Sequence, residues 1–205
     1  MPETSHVTGL ILAGGRASRF QCQGSPIIDK GLLVLDGLPL VEHVQRYMKG
    51  RVGQVWVSAN RNLDNYGLYG RVVTDDVLYG HDAGPLAGVA SAMSQLSSDW
   101  LFTLPVDTPF VPSDLLSCLM AATAQGARLA SARTSSRQFP LCMLVHRSVT
   151  GALQAYLAGG QRRVMSWQQQ VGGVEVCFED NGRDFFNINT PNALQQAQLG
   201  NYDSQ

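Results

Sequence analysis

Two adjacent glycines, Gly14 and Gly15, follow a short apolar run and come just before several basic residues. Glycine lacks a Cβ, so backbone N–H groups at such a position can approach a ligand closely. Arg16, Arg19 and Lys30 add two guanidinium groups and an ammonium, which together can neutralise a triphosphate. The alternative is a plain glycine turn with solvated basic side chains. The glycines and the basic residues all precede the next apolar run, residues 32–35, which we expect to form a strand. We therefore interpret this loop as a nucleoside triphosphate site.

The two best-known nucleotide fingerprints are missing from this loop. It contains no Gly-x-Gly-x-x-Gly and no Gly-x-x-x-x-Gly-Lys-Ser/Thr. Hydride transfer on a dinucleotide and hydrolysis by a Walker-type NTPase are therefore disfavoured.

Carboxylates follow two other apolar runs. Asp107 lies between Pro105 and Pro109, and these prolines restrict the backbone and hold the carboxylate in one direction. A hard oxygen ligand of this kind is typical of Mg²⁺ shared with substrate phosphates. Asp75 and Asp76 form a second pair, for which a turn or helix cap is a competing interpretation.

Polar residues 58–62 follow a third apolar run and include Ser58 and Asn60, which can contact a base or ribose. The alternative is that Asn62 caps the next helix. Gly84 and Pro85 can begin a helix, and glycine allows the start of that helix to pack close to the proposed nucleotide site.

These side chains must be positioned by alternating strands and helices. Apolar runs at residues 7–12, 54–58 and 99–104 predict buried strands. Three sets of apolar residues recur at helical spacing, and we expect Pro39 to be the first residue of the first helix. The sets follow Pro39, Pro85 and Pro112 and are Leu40, Val41, Val44, Tyr47 and Met48, then Leu86, Val89, Ala90, Met93 and Leu96, then Leu115, Leu116, Leu119 and Met120. Such alternation predicts a largely parallel α/β sheet that binds its ligands beyond the carboxyl ends of the strands.

The later part of the chain has shorter runs at residues 141–145 and 174–178, with helices near 151–157 and 162–170. We expect it to extend the same sheet, with one antiparallel strand. A length of 205 residues with 44% hydrophobic content predicts a single domain over residues 1–205.

Charge and cysteine usage exclude several classes of protein. The net charge is −1, from 15 Lys+Arg and 16 Asp+Glu, so we expect neither nucleic acid nor an anionic membrane as a partner. The four cysteines lack Cys-x-x-Cys spacing, which argues against a zinc site or a disulfide framework. With no signal pattern, and no apolar run near the ~20 residues that span a bilayer, we expect a cytoplasmic protein.

In this order the motifs resemble the molybdenum cofactor guanylyltransferase family, within the Rossmann-like nucleotidyltransferases. The resemblance runs from residue 10 to about 195 and rests on segments at residues 12–15 with Arg19, 29–32, 58–61, 84–88, 107–109, 161–164 and 186–191. It implies a three-layer fold with a mostly parallel central sheet and helices on both faces. It also divides the domain into a nucleotide-binding half, residues 5–130, and a pterin-binding half, residues 131–200.

The resemblance further implies transfer of GMP from GTP to the terminal phosphate of molybdopterin or its molybdenum form, with release of pyrophosphate. The residues that match the family's GTP site are Leu12, Ala13, Gly14, Gly15, Lys30, Ser58, Asp75 and Asp107. Of these, Asp107 is the expected Mg²⁺ ligand, and the catalytic set is Arg19, Lys30 and Asp107. The pterin is assigned to Arg162, Arg163, Asn187 and Asn189. Proteins that deliver the cofactor and molybdoenzymes that accept it are the implied protein partners.

This sequence departs from the family pattern at three places. Residues 20–28 make a longer loop before Lys30, Asp76 competes with Asp75 for the nucleotide-side role, and Ser58 replaces an Asn of some members. Competing hypotheses are a cytidylyltransferase for the same pterin, a sugar-phosphate nucleotidyltransferase, and a non-catalytic cofactor carrier. The first two families tend to read Leu-Ala-Ala-Gly, so Gly14 favours guanine.

Overall fold

The computed structural model describes residues 6–14, 29–80 and 84–202. Its strands are β1 (Val7–Leu12), β2 (Val34–Leu35), β3 (Leu38–Pro39), β4 (Gln54–Ser58), β5 (Arg71–Val73), β6 (Trp100–Pro105), β7 (Leu129–Arg133), β8 (Gln138–His146) and β9 (Val174–Cys177). Its α-helices are α1 (Leu40–Met48), α2 (Leu63–Gly67), α3 (Pro85–Met93), α4 (Leu115–Thr123), α5 (Thr150–Ala158), α6 (Val164–Gln170) and α7 (Pro191–Gln198).

Seven strands form one sheet in the spatial order β5-β4-β1-β6-β8-β7-β9, and β2 pairs with β3 in a separate hairpin. The pairs β5-β4, β4-β1 and β1-β6 are parallel. Strand β8 runs antiparallel to both β6 and β7, whereas β9 is parallel to β7. A short connection between β7 and β8 permits this reversal, since antiparallel neighbours need no crossover. The expected extension of the sheet by an antiparallel strand is confirmed.

Helices cover both faces of the sheet. Side chains alternate along β1, so Ile11 belongs to the hydrophobic cluster that contains residues of α1, α4 and α7. Leu10 belongs to the cluster on the other face, which contains residues of α3, α5 and α6. Strands buried on both faces are continuous apolar runs, which is why β1 and β6 are so apolar. The predicted three-layer fold with a mostly parallel sheet is confirmed.

Some element boundaries differ from those predicted. Helix α1 begins at Leu40, because Pro39 has extended backbone angles (φ −61°, ψ 147°) and pairs with Val34 in the hairpin. The apolar run at residues 32–35 is a strand only at Val34–Leu35, since Lys30–Leu32 form a 3-10 turn. None of the helices in residues 6–14, 29–80 and 84–202 has the length and apolarity needed to cross a bilayer.

Four adjacent parallel strands end at the same edge of the sheet. β5, β4, β1 and β6 lie side by side there, and they are followed by Asp75, the 58–62 segment, Gly14 and Asp107. Because these strands are parallel, the loops that contain the sequence motifs lie together at one edge of the sheet.

Candidate functional site

A cleft of about 860 Å³ opens at this edge of the sheet. Its volume is within the range of small-molecule sites. The described residues that line it include Leu12, Gly14, Lys30, Ser58, Asn60, Arg61, Asp75, Asp76, Gly84, Gly88, Asp107 and Leu141. Most of the residues predicted to contact GTP thus share one cavity.

An ion pair between Lys30 and Asp107 lies in this cleft. Lys30 Nζ donates to Asp107 Oδ2 over 2.9 Å, and the two side chains are 13% and 25% exposed. The 3-10 turn that carries Lys30 places the ammonium beside the loop after β6. The Lys30 ammonium and the Asp107 carboxylate thus lie together, although they come from distant parts of the chain. An ammonium can bind phosphate, and a carboxylate can bind a metal ion.

The 187–189 segment, which begins at Asn187 and ends at Asn189, makes three hydrogen bonds to Lys30 and to the loop that contains Asp107. The N–H of Ile188 donates to the Asp107 carbonyl over 2.8 Å. Thr108 Oγ1 donates to Asn187 Oδ1 over 2.8 Å. Lys30 Nζ also donates to Asn189 Oδ1. Both asparagines, assigned above to the pterin, therefore contact the nucleotide-side loops directly.

Asp75 is held by Asn60 at the opposite side of the cleft. Asn60 Nδ2 donates to Asp75 Oδ2, and the Asp75 N–H donates to Asn60 Oδ1, both over 2.9 Å. Desolvation raises the pKa of Asp75, and the Asn60 hydrogen bond partly opposes this. Asp76 instead accepts from the Leu78 N–H and caps a short 3-10 turn. Both residues line the cleft, but the Asp76 carboxylate caps the turn, whereas the Asp75 carboxylate is held by Asn60.

Gly88 lets the first turns of α3 pack against Ser58 and Asp75. A Cβ at Gly88 would lie 2.1 Å from Ser58 Oγ and 3.3 Å from Asp75 Oδ1. The close approach therefore requires glycine here, and it brings the start of α3 to the wall of the cleft.

Asp29 is a buried carboxylate whose role the sequence did not reveal. It is 5% exposed and accepts from Tyr66 Oη over 2.7 Å and from Asn62 Nδ2 over 3.1 Å, with Arg61 Nη2 at 3.6 Å. Asn62 precedes α2 but does not cap it with its side chain. The only local signal was the proximity of Asp29 to Lys30, because its partners are more than 30 positions away.

The backbone leaves the sheet at the predicted nucleotide loop. The Leu12 carbonyl accepts from Val106 N–H over 3.1 Å, and Ala13 N–H donates to the Ser58 carbonyl over 2.9 Å. Gly14 follows and lines the cleft. Gly15, Arg16, Arg19 and the lengthened 20–28 loop lie outside the described residues.

Arg162 and Arg163 bond to residues other than Lys30 and Asp107 in the part of the chain that the structure describes. Arg162 donates to the carbonyls of Leu157 and Gln161 over 2.7 Å and to that of Tyr79 over 3.2 Å. Arg163 is exposed just before α6, and its carbonyl accepts from Tyr156 Oη. Arg162 thus bonds to the 77–79 turn and the end of α5, whereas the two asparagines bond to Lys30 and Thr108.

The carboxylates of the cleft suit a metal ion shared with a ligand. Across the described ranges, no three His, Cys, Asp or Glu side chains converge on a common point. Mg²⁺ commonly uses only one or two carboxylates and completes its shell with water and phosphate oxygens. Asp107, partly exposed and lining the cleft, fits that mode of binding.

The fold and the cleft define a Rossmann-like α/β nucleotidyltransferase. A family model described as the MobA-like NTP transferase domain matches residues 9–171. The chain belongs to this family, which confirms the predicted class of enzyme.

Relatives of similar length share much of the sequence. The chain is 41% identical over 201 residues to a molybdenum cofactor guanylyltransferase of Cupriavidus pinatubonensis, covering 95% of this chain and 97% of the relative. It is 39% identical over 206 residues to that of Ralstonia nicotianae, covering 96% and 98%. The resemblance on which the sequence-based assignment rested is confirmed.

A solved structure supports the fold independently. The molybdopterin-guanine dinucleotide biosynthesis protein A of Archaeoglobus fulgidus superposes with a TM-score of 0.73 at 20% identity, covering 94% of this chain and 97% of that one. At this identity the likeness establishes the three-layer fold.

Proposed function

We propose that this protein transfers GMP from GTP to the terminal phosphate of molybdopterin or its molybdenum form. An oxygen of the pterin phosphate attacks the α-phosphorus of GTP. The bond from that phosphorus to the oxygen bridging to the β-phosphate breaks, and pyrophosphate leaves with the bond electrons. The products are the guanine dinucleotide of the pterin and pyrophosphate.

The observation that carries this proposal is the convergence of Lys30, Asp107 and Asp75 in one cleft at the carboxyl ends of parallel strands. Phosphoryl and nucleotidyl transfer need alignment and charge neutralisation, and no covalent protein nucleophile. Lys30 supplies a fixed positive charge for the phosphates. The guanylyltransferase names of the relatives agree with this chemistry.

Mg²⁺ is the cofactor that we propose for this site. Three carboxylates and two basic side chains of the described residues line the cleft, namely Asp75, Asp76 and Asp107 with Lys30 and Arg61. A triphosphate entering such a site brings further negative charge, which a divalent cation on Asp107 offsets. When bound, Mg²⁺ neutralises the phosphate oxygens and helps to orient the leaving pyrophosphate.

We assign guanine to the side of the cleft formed by the Leu12–Gly14 backbone, Ser58 and Asp75. The Watson–Crick edge of guanine presents two neighbouring donors, and the carboxylate of Asp75 offers an acceptor for them. Asn60 fixes the orientation of this carboxylate, so the acceptor is positioned before the base arrives. Cytosine lacks this pair of neighbouring donors, which is why we favour GTP over CTP.

Incorporation of label distinguishes this function from its alternatives. Protein with Mg²⁺ and molybdopterin is supplied in turn with α-labelled GTP, CTP or UTP, and label in the pterin dinucleotide is counted. We expect incorporation almost exclusively from GTP. Preferential use of CTP would support the cytidylyltransferase instead. Nucleotide binding without incorporation from any of the three would support a carrier.

A further inference from the structure

We propose that the 187–189 segment positions Lys30 and Asp107, and that it thereby governs GTP binding before any pterin is present. This inference rests on the proposed guanylyl transfer. It assigns to Asn187 and Asn189 a role in the nucleotide half of the site, where sequence motifs had placed them with the pterin.

The first line of support is the geometry around Lys30. An ammonium has three N–H donors. Among the described residues, two acceptors receive them, Asp107 Oδ2 and Asn189 Oδ1. One donor thus remains for a phosphate oxygen, and Lys30 lines the cleft. A flexible lysine stem held at two points loses less conformational entropy when it binds a ligand.

The second line of support is the way in which the segment holds the loop of Asp107. The Ile188 N–H binds the Asp107 carbonyl, and the Ile188 side chain is fully buried. Asn187 accepts from Thr108, the residue that follows Asp107. The direction of the Asp107 carboxylate is therefore set by residues about 80 positions further along the chain.

The segment is itself rigidly attached to the fold. Thr190 Oγ1 accepts from the Ala193 N–H at 3.1 Å and caps α7, and Pro191 is the first residue of that helix. Capping and an initial proline both stabilise a helix start. The asparagines therefore project from a fixed support, which is what a positioning role requires.

GTP binding by the full chain, measured calorimetrically without pterin, tests the proposal. Asn189→Ala should weaken GTP binding about tenfold, the effect expected for loss of one hydrogen bond to a charged group. Asn189→Asp keeps the shape of the side chain but adds a negative charge beside the phosphates, so it should weaken binding as well. Both effects should persist in EDTA, because they act through Lys30. The exposed Asn192→Ala, on α7, is the matched control and should bind GTP like the wild type.

A double-mutant cycle tests the contribution of Asn187. Thr108 is 2% exposed, so it can influence a ligand only through its neighbours. Thr108→Val and Asn187→Ala should each weaken GTP binding, and the double variant should be little worse than either one. Midpoints of thermal unfolding, measured alongside, identify any variant whose loss of binding reflects partial unfolding.

The outcomes separate this inference from the proposed function. If the wild type binds GTP and the Asn189→Ala, Asn189→Asp, Thr108→Val and Asn187→Ala variants all bind it equally well, the positioning role is wrong. If the wild type itself binds no GTP, the proposed function fails. Weakened GTP binding by folded Asn189 variants supports the inference.

Discussion

Lys30 and Asp107, 77 positions apart in the chain, are joined by a hydrogen bond of 2.9 Å from Nζ to Oδ2. Both charges are partly buried, so each charge is stabilised by the other when no ligand is bound. The pair places the proposed phosphate-binding cation next to the proposed metal ligand. The function of the cleft should therefore be sensitive to either residue.

Replacement of the Asp107 carboxylate should greatly reduce guanylyl transfer. Asp107→Ala removes the proposed Mg²⁺ ligand and leaves Lys30 without its anion, so we expect guanylyl transfer to fall by about a hundredfold to a thousandfold. The measurement is the rate of α-label incorporation from GTP at saturating Mg²⁺. Asp64→Ala, which removes an exposed carboxylate on α2, is the control and should retain full activity. Near-normal transfer by Asp107→Ala would exclude a metal role for this residue.

Gly14 should be required for GTP binding and not for the stability of the fold. Among the described residues, no atom lies within 4 Å of a Cβ built at Gly14, and its φ is not positive. We therefore expect Gly14→Ala to leave the urea midpoint nearly unchanged while weakening GTP binding about tenfold or more, because the added methyl group obstructs the nucleotide.

Gly151→Ala is a matched control for this substitution. Gly151 lies in α5 and also has open space around its Cβ position. The change should stabilise the protein by about 0.4–1 kcal/mol and leave GTP binding unaltered. If Gly14→Ala bound GTP normally, the glycine loop would not contact the nucleotide as proposed.

Loss of Asn60 should shift the pH dependence of GTP binding. Desolvation raises the pKa of Asp75, and the hydrogen bond from Asn60 lowers it. Asn60→Ala removes the lowering contribution, so Asp75 should accept a proton at higher pH than in the wild type. Because the protonated carboxyl is a poorer acceptor for guanine, the acidic loss of GTP affinity should move to higher pH.

Calorimetric titrations of both proteins over the same pH series give this comparison. Titration of GTP itself is common to the two proteins and cancels in their difference. Superimposable acid limbs would show that Asp75 does not have to be charged to bind GTP.

Removal of one hydroxyl should destabilise the turn that carries Lys30. Tyr66→Phe deletes the donor to Asp29 Oδ1, which leaves a buried carboxylate oxygen without that partner. We expect a loss of about 1–3 kcal/mol in the free energy of unfolding, measured by urea denaturation. Burial and the Asp29 hydrogen bond raise the pKa of Tyr66 far above its ordinary value, so the hydroxyl is a donor throughout the physiological range.

Gly31 offers an internal check on this contact. A Cβ at Gly31 would lie 2.6 Å from Tyr66 Oη, so Gly31→Ala should be destabilising. Part of that cost should disappear in the Tyr66→Phe background, where the clashing oxygen is absent. Strictly additive effects would contradict the packing of Tyr66 against the Lys30 turn.

The local pattern of the sequence was enough to predict the framework of the site. The apolar run at Val7–Leu12 ends where Gly14 enters the cleft, and the run before Asp107 ends as a strand in the same way. Burial on both faces requires continuous apolar side chains, and a loop requires glycine or proline, so these signals lie within a few adjacent residues. Residue order alone therefore indicated an α/β sheet with Asp75 and Asp107 beyond its strands.

Only the tertiary structure decided which side chains meet. The bond between Lys30 and Asn189 spans 159 positions, and the bond between Thr108 and Asn187 spans 79. The burial of Asp29 against Tyr66 likewise depends on where α2 packs. Such pairs follow from the spatial order of strands and from the packing of whole helices, and these are global properties that no short stretch of residues encodes. The sequence alone therefore determined that Gly14, Asp75 and Asp107 follow strands of one sheet, and the packing of distant elements determined which residues hold the charges of the cleft in place.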